Sequence, residues 1–265
     1  MSNFKRWEDL TFTDDFIFSQ VMRNEDICKS LIETILKIKV GKIEFLTSQY
    51  EIEIEPQAKT IAMDVYLRDE KKIINVEMQT GHRLELPKRS RYYQAAADID
   101  NTPPSGVYNE MKDNYVIFIC TFDPFLYGKA FYHFENVCLT CNPPLLLNDG
   151  TYKIFLNTEA EDLSLLDPEL KLFYDYIRRG TADSTLTEKI DDSINELKKN
   201  REARRKYMTY TTRIAEAKNE AREEGISLGV QQAKLETAKN ALTMNLPIEQ
   251  IAILTGLSPE EIEKL

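Results

Sequence analysis

Residues 60–79, TIAMDVYLRDEKKIINVEMQ, decide the reading of this chain. Two runs that alternate between apolar and polar residues flank Asp69-Glu70-Lys71-Lys72, the pattern of two β-strands joined by a tight turn. With the turn centred between Glu70 and Lys71, Leu67 faces Ile74, Val65 faces Val76 and Asp64 faces Glu77. Side chains alternate between the faces of a strand, so Ile61, Met63, Val65 and Leu67 share one face with Ile74, Val76 and Met78. That face is apolar throughout. The opposite face carries Ala62, Asp64, Tyr66 and Arg68 with Ile73, Asn75, Glu77 and Gln79, and directly opposed residues lie roughly 5 Å apart at Cβ. Like charges placed so destabilise a hairpin unless a cation or a shared proton sits between them. Asp64 and Glu77 therefore read either as half of a metal site or as the wet face of an ordinary hairpin.

Working outward, Ile27, Leu31, Ile32, Ile35 and Leu36 at helical spacing predict a helix over residues 14–38. Pro87 in a first turn predicts a second over 87–101, which carries Lys88, Arg89, Arg91, Tyr92 and Tyr93 just after the acidic strand and stops at NTPPSG. Residues 115–122 form a continuous apolar run suited to a buried strand, with 129–134 and 152–156 as further candidates. Residues 166–179, and then Thr185 onward, are strongly helical in composition. A bend or helix join is expected at Gly225 and Gly229, because an interior glycine costs about 1 kcal/mol relative to alanine. The expected division is residues 1–180 against a helical region over 181–265, with the boundary near Gly180.

The last residues have a helix-turn-helix look: Pro247 to Thr255, a turn at Gly256, and a second start at Ser258-Pro259-Glu260-Glu261. A helix that reads DNA brings basic or amide groups to the groove. This one offers Glu260, Glu261 and Glu263. Packing between helices, or a homodimer contact through Ile248, Ile251, Leu254, Leu257, Ile262 and Leu265, is the stronger expectation.

The 265 residues carry a formal net charge of −10. An acidic whole does not exclude a nucleic-acid partner, since only the footprint must be basic. One local run, LKKNREARRKY, is basic through Lys198, Lys199, Arg201, Arg204, Arg205 and Lys206. No apolar run approaches the roughly 18 residues of a membrane span. Four scattered cysteines and a polar start, MSNFKRWEDL, lead to the expectation of a reduced cytoplasmic setting. Cys138 and Cys141 make one CxxC near His133, but a closed zinc site needs four ligands and no second pair is present. A redox CxxC is not expected either, because NVCLTCNPPL reads as strand into loop and lacks the helix N-terminus that depresses a thiol pKa. His82 and His133 have no nucleophile beside them in sequence, so both read as structural.

Four stretches carry a family resemblance: FTDDFIFSQVM near the start, MDVYL with VEMQ, the following KRSRYYQ, and the tail IAILTGLSPEEIEKL. Asp64 followed by Glu77-Met78-Gln79 resembles the PD-(D/E)XK nuclease signature with its final lysine replaced by glutamine. More narrowly, the chain resembles the recombination-promoting nuclease and transposase family of bacteria. The resemblance implies an α/β fold: a restriction-endonuclease-like core with a mixed sheet flanked by helices, here followed by an all-helical C-terminal extension. It implies that Asp64 and Glu77, with the main-chain carbonyl of Met78, hold Mg²⁺ or Mn²⁺ as hard oxygen donors, and that the ion promotes phosphodiester hydrolysis in double-stranded DNA.

Gln79 departs from the superfamily pattern. Its amide positions water but supplies no positive charge, and glutamine at this position belongs to the narrower family. Asp15 matches an acidic position early in the family and is a further candidate ligand, with a helix N-cap as the competing reading. Lys88, Arg89 and Arg91 are candidates for contact with backbone phosphates. Two functions follow as expectations: a metal-dependent DNA endonuclease of recombination or mobile-element biology, or a nuclease-fold protein with a decayed site that binds nucleic acid or serves assembly.

Overall fold

The computed structural model describes residues 4–52, 61–81 and 84–265. His82, read above as structural, lies outside them. Contacts divide the chain into two compact units, Lys5–Arg201 and Glu202–Leu265, the second including Phe4.

In the first unit the order is α1 (Asp15–Val21), α2 (Glu25–Leu36), β1 (Ile43–Ile52), β2 (Ile61–Asp69), β3 (Lys72–Gln79), α3 (Leu86–Asn101) and β4 (Asp113–Cys120). Then follow β5 (Phe131–Phe134), β6 (Val137–Cys138), β7 (Leu145–Leu146), β8 (Thr151–Asn157), α4 (Pro168–Arg179) and α5 (Thr185–Lys199). Six strands form one sheet in the order β1-β2-β3-β4-β8-β5, while β6 and β7 pair separately. The pairs β1–β2, β2–β3 and β8–β5 are antiparallel, and β3–β4 and β4–β8 are parallel. A mixed sheet flanked by helices is thus in place.

The central hairpin has the expected register, Leu67 opposite Ile74 and Val65 opposite Val76. Asp69 sets it. Its Oδ1 accepts the amides of Lys71 and Lys72 at 2.8 and 2.7 Å, and its Oδ2 accepts the amide of Gly41 at 2.8 Å. A side chain that bonds its own backbone two residues on builds the turn. Burial pushes the Asp69 carboxyl up, but the amides of Lys71, Gly41 and Lys72 outweigh it and hold the group below its ordinary value.

Val65, Leu67, Ile74, Val76 and Met78 are buried as expected, but Ile61 and Met63, which alternation puts on the same face, are buried instead in the cluster of Tyr66, Ile73 and α3, so strict alternation does not hold past Asp64. The opposite face is only partly wet: Ala62 is exposed and Asp64 and Arg68 are half-buried. Tyr66, Ile73, Asn75 and Glu77 are buried too, because Leu86, Tyr93, Ala96 and Ala97 of α3 pack on it with Val116, Phe118 and Phe155. Gln94 fixes α3 there: its Nε2 donates to the carbonyls of Asn114 and Tyr152 at 3.0 and 3.1 Å, and Asn114 Nδ2 returns a bond to the Gln94 carbonyl at 3.1 Å.

Several boundaries differ from expectation. Residues 14–38 make two helices, because the Asn24 side chain accepts the amides of Asp26 and Ile27 and starts α2 afresh. Strand β1 had no clear signal, since its sequence, IEFLTSQYEI, lacks a clean alternation. Gly180 does end α4 with φ +73°. The first unit nevertheless continues through α5, whose Leu186, Ile190 and Ile194 are buried and which packs against α1, α2 and α4. Trp7 Nε1 donates to the Lys198 carbonyl at 3.1 Å.

Arg201–Thr243 is one helix, α6, which passes through Gly225 and Gly229 without a break. Two interior glycines are outweighed by the helix formers around them. The second unit ends with α7 (Ile248–Thr255) and α8 (Pro259–Glu263). Gly256 closes α7 at φ +67°, and Ser258 with Glu261 forms a capping box on α8. Ile251, Leu257 and Ile262 are buried with Ala238 and Ala241, whereas Leu254 remains 66% exposed.

Removal of the Asp69 carboxylate leaves three amides without their acceptor. Asp69→Ala is expected to cost about 2–3 kcal/mol, the scale of hydrogen bonds to a charged group, read as a lower urea midpoint at unchanged slope. Asp69→Asn is expected to retain part of it.

Candidate metal centre

Main-chain pairing of β2 with β3 runs from Arg68–Ile73 to Val65–Val76 and goes no further. At the next step the side chains take over. The Asp64 amide donates to Glu77 Oε1 and the Met78 amide donates to Asp64 Oδ2, both at 3.0 Å. Each acid is thereby anchored on the other strand, and the two carboxylates are brought together where the strands part. In an extended strand a residue's N–H and C=O point to the same edge. The Met78 carbonyl therefore faces the Asp64 side as its amide does.

Glu77 is 1% and Gln79 7% exposed. Both point to Arg89 of α3. The guanidinium donates from one terminal nitrogen to Glu77 Oε2 at 2.8 Å, from the other to Gln79 Oε1 at 3.1 Å, and from Nε to Tyr93 Oη at 2.6 Å. Tyr93 Oη in turn donates to the Ala62 carbonyl at 3.2 Å. The guanidinium also lies over the Tyr93 and Phe118 rings, 5.0 and 5.7 Å from their centroids. Gln79 Nε2 donates to the Gly81 carbonyl at 2.8 Å.

Arg89 is thus turned inward onto the acids, while Lys88 and Arg91 are exposed. Asp15 is the first residue of α1, preceded by Asp14 at the N-cap position. Its charge is felt at Asp64, so the end of α1 brings a third carboxylate towards the pair. Arg89 as the partner of Glu77 and Gln79 was not foreseen. The available signals were the i, i+2 spacing of Glu77 and Gln79 on one strand face and the i, i+4 spacing of Arg89 and Tyr93 on the helix.

Residues 8–157 match the model of the PD-(D/E)XK nuclease family transposases. The chain belongs to that family. No curated protein and no solved structure matches it. The matched stretch contains Asp15, Asp64, Glu77, Gln79 and Arg89 and runs to the end of β8. Its mixed sheet with flanking helices is consistent with the PD-(D/E)XK fold.

Nucleases of this family typically use divalent metals, and the donors present suit one. Burial pushes the Asp64 carboxyl up to about 6, against the pull of the Met78 amide, and Asp15 adds to the rise. Burial, and next the Asp64 charge, push Glu77 well above its ordinary value despite Arg89. Two desolvated carboxylates share a single guanidinium. Two acids and one carbonyl are a hard oxygen set that small divalent ions accept, with the remaining positions left to water or phosphate. Among the described residues no group of three His, Cys, Asp or Glu side chains closes around one point.

The raised carboxyl has a linkage consequence. A folded-state value of about 6 against 3.8 means the folded chain binds more protons than the unfolded chain between those values, so metal-free stability falls as pH rises through that window. Asp64→Asn is expected to raise the stability of the metal-free protein by on the order of 1–2 kcal/mol at about pH 8 and by nothing below about pH 4. Thermal melts in EDTA across this range measure it, and a pH-independent effect counts against the charged pair.

Proposed function

We propose that this chain is a metal-dependent endonuclease that hydrolyses phosphodiester bonds of double-stranded DNA in recombination or mobile-element processes. One observation carries the reading: Asp64 and Glu77 come together at the parting of β2 and β3, with a single guanidinium bonded to Glu77. Asp64, Glu77 and the Met78 carbonyl would hold Mg²⁺ or Mn²⁺, which supplies Lewis-acid polarisation of the phosphodiester and a more acidic water.

The protein's own groups do the rest. Gln79 is held at both ends of its amide, yet keeps one N–H and one lone pair with which to orient the attacking water. Arg89 supplies the positive charge that the missing lysine would bring, and it is fixed by Tyr93 so that little reorganisation is needed. Asp15 supports the site through its charge on Asp64. Lys88 and Arg91 on the exposed side of α3 meet backbone phosphates, as such side chains usually do. Cleavage of both strands calls for two sites, and the exposed Leu254 and Leu265 are the surface through which a homodimer of C-terminal helices would form.

A second reading, a nuclease fold that binds nucleic acid or serves assembly without cutting, draws support from the same guanidinium, which already satisfies Glu77 and Gln79. Supercoiled plasmid incubated with the purified chain and Mg²⁺, Mn²⁺ or EDTA separates the two. The nuclease reading expects nicking or linearisation that EDTA, Asp64→Ala and Glu77→Ala each abolish. No cleavage with any divalent ion favours the second, and equal cleavage by the variants rejects both acids. Arg89→Met is expected to lower the cleavage rate roughly 100-fold, the scale of one fixed electrostatic donor, with the fold intact by circular dichroism.

A further inference from the structure

A second group of reactive side chains lies in the β6–β7 hairpin. Val137 and Cys138 pair with Leu146 and Leu145, and the turn at Leu139 and Thr140 folds Cys141 back beside Cys138. Their Sγ atoms are 3.3 Å apart, and Thr140 Oγ1 lies 3.2 Å from Cys138 Sγ. Both cysteines are partly exposed, whereas Cys28 and Cys120 are buried.

No helix N-terminus is present, which was the reason to expect an inert pair. The turn supplies the donors instead. The Thr140 hydroxyl, the Cys141 thiol and the amides of Thr140 and Cys141 all act on the Cys138 sulfur and hold its pKa down to about 7. Cys141 is held above its ordinary value, because its S–H is spent on Cys138. Burial pushes Cys28 and Cys120 up to about 12. One thiolate with an adjacent protonated thiol is the division of labour that disulfide exchange needs: the first attacks, the second resolves.

We propose that Cys138 and Cys141 are a thiol–disulfide exchange site, whose substrates are low-molecular-weight disulfides and whose oxidised form is an intramolecular Cys138–Cys141 bond. The Cys138 thiolate attacks one sulfur of the small disulfide, forms a mixed disulfide and releases one small thiolate. Cys141 then gives up its proton to solvent and attacks the Cys138 sulfur, which expels the second small thiolate. Two protein thiols and one small disulfide become one protein disulfide and two small thiols. Bond formation brings the Sγ atoms from 3.3 Å to roughly 2.05 Å. This site stands independently of the acids in β2 and β3.

The test equilibrates the native full-length chain with glutathione and glutathione disulfide and reads intact mass, then maps the peptide that holds both cysteines. The proposal expects the wild type to lose two hydrogens at Cys138 and Cys141. Cys141→Ala is expected to stop at a glutathione adduct on Cys138, and Cys138→Ala to form neither product at this peptide. Iodoacetamide at neutral pH is expected to alkylate Cys138 about fivefold to tenfold faster than a free cysteine peptide, the gain from its larger thiolate fraction, and Cys141→Ala to lose part of that gain. A wild type that keeps both hydrogens throughout the redox series, or a Cys138 that alkylates at the peptide's rate, overturns the proposal. The substituted positions are partly exposed in a surface hairpin, so unchanged circular dichroism is expected for all variants.

Discussion

The interaction on which this structure turns is the exchange of amide bonds between two acids: the Asp64 amide on Glu77, and the Met78 amide on Asp64. It exists because the β2–β3 ladder ends one residue earlier, so backbone donors that a continuing ladder would consume are free to take carboxylates. Asp69 places that end point by its turn, and α3 covers it. Strand β3 is consequently buried on both faces in the middle of the sheet. Carboxylates there lose hydration that neither a single guanidinium nor two amides restores, and both are pushed upward. The fold keeps an unmet demand for positive charge at one point.

Gln79 makes sense in that setting. The superfamily signature it departs from puts a lysine on this strand, whereas here the cation beside Glu77 and Gln79 is Arg89 of α3. Arg89 reaches Glu77, Gln79 and Tyr93 with three different nitrogens, and two aromatic rings lie under it. The guanidinium is planar and permanently charged, so it bridges an acid and an amide in a way that an ammonium does not. The positive charge beside these two side chains is a fork and not a point.

Much of this was legible in the sequence for a physical reason. A turn fixed by Asp69 sets which residues oppose one another as far as Val65 and Val76, so the approach of Asp64 to Glu77 one step on was readable, though not the amide bonds that hold them. The helix over 87–101 and the short C-terminal helices were likewise announced by Pro87, Gly256 and the Ser258 cap. Other features leave no local trace. An arginine that faces phosphate and one that faces a buried glutamate have the same spacing, so the role of Arg89 depends on how Gln94 and Asn114 dock α3. Burial of the polar hairpin face also comes from α3, and the split between α1 and α2 comes from the side-chain rotamer of Asn24. The glycines of α6 were overruled by their neighbours. The low thiol pKa of Cys138 arises from a turn whose hydroxyl, thiol and amides converge on one sulfur, a geometry that the CxxC spacing permits but does not specify.

The proposed activity requires that Asp64 and Glu77 together hold one divalent cation. Calorimetric titration of Mn²⁺ into the whole chain at neutral pH, without nucleic acid, addresses it directly, with wild type beside Asp64→Asn and Glu77→Gln. A single binding event is expected in the wild type, and each substitution is expected to abolish it. Binding that survives both substitutions unchanged, or a wild type that takes up no cation, contradicts that requirement.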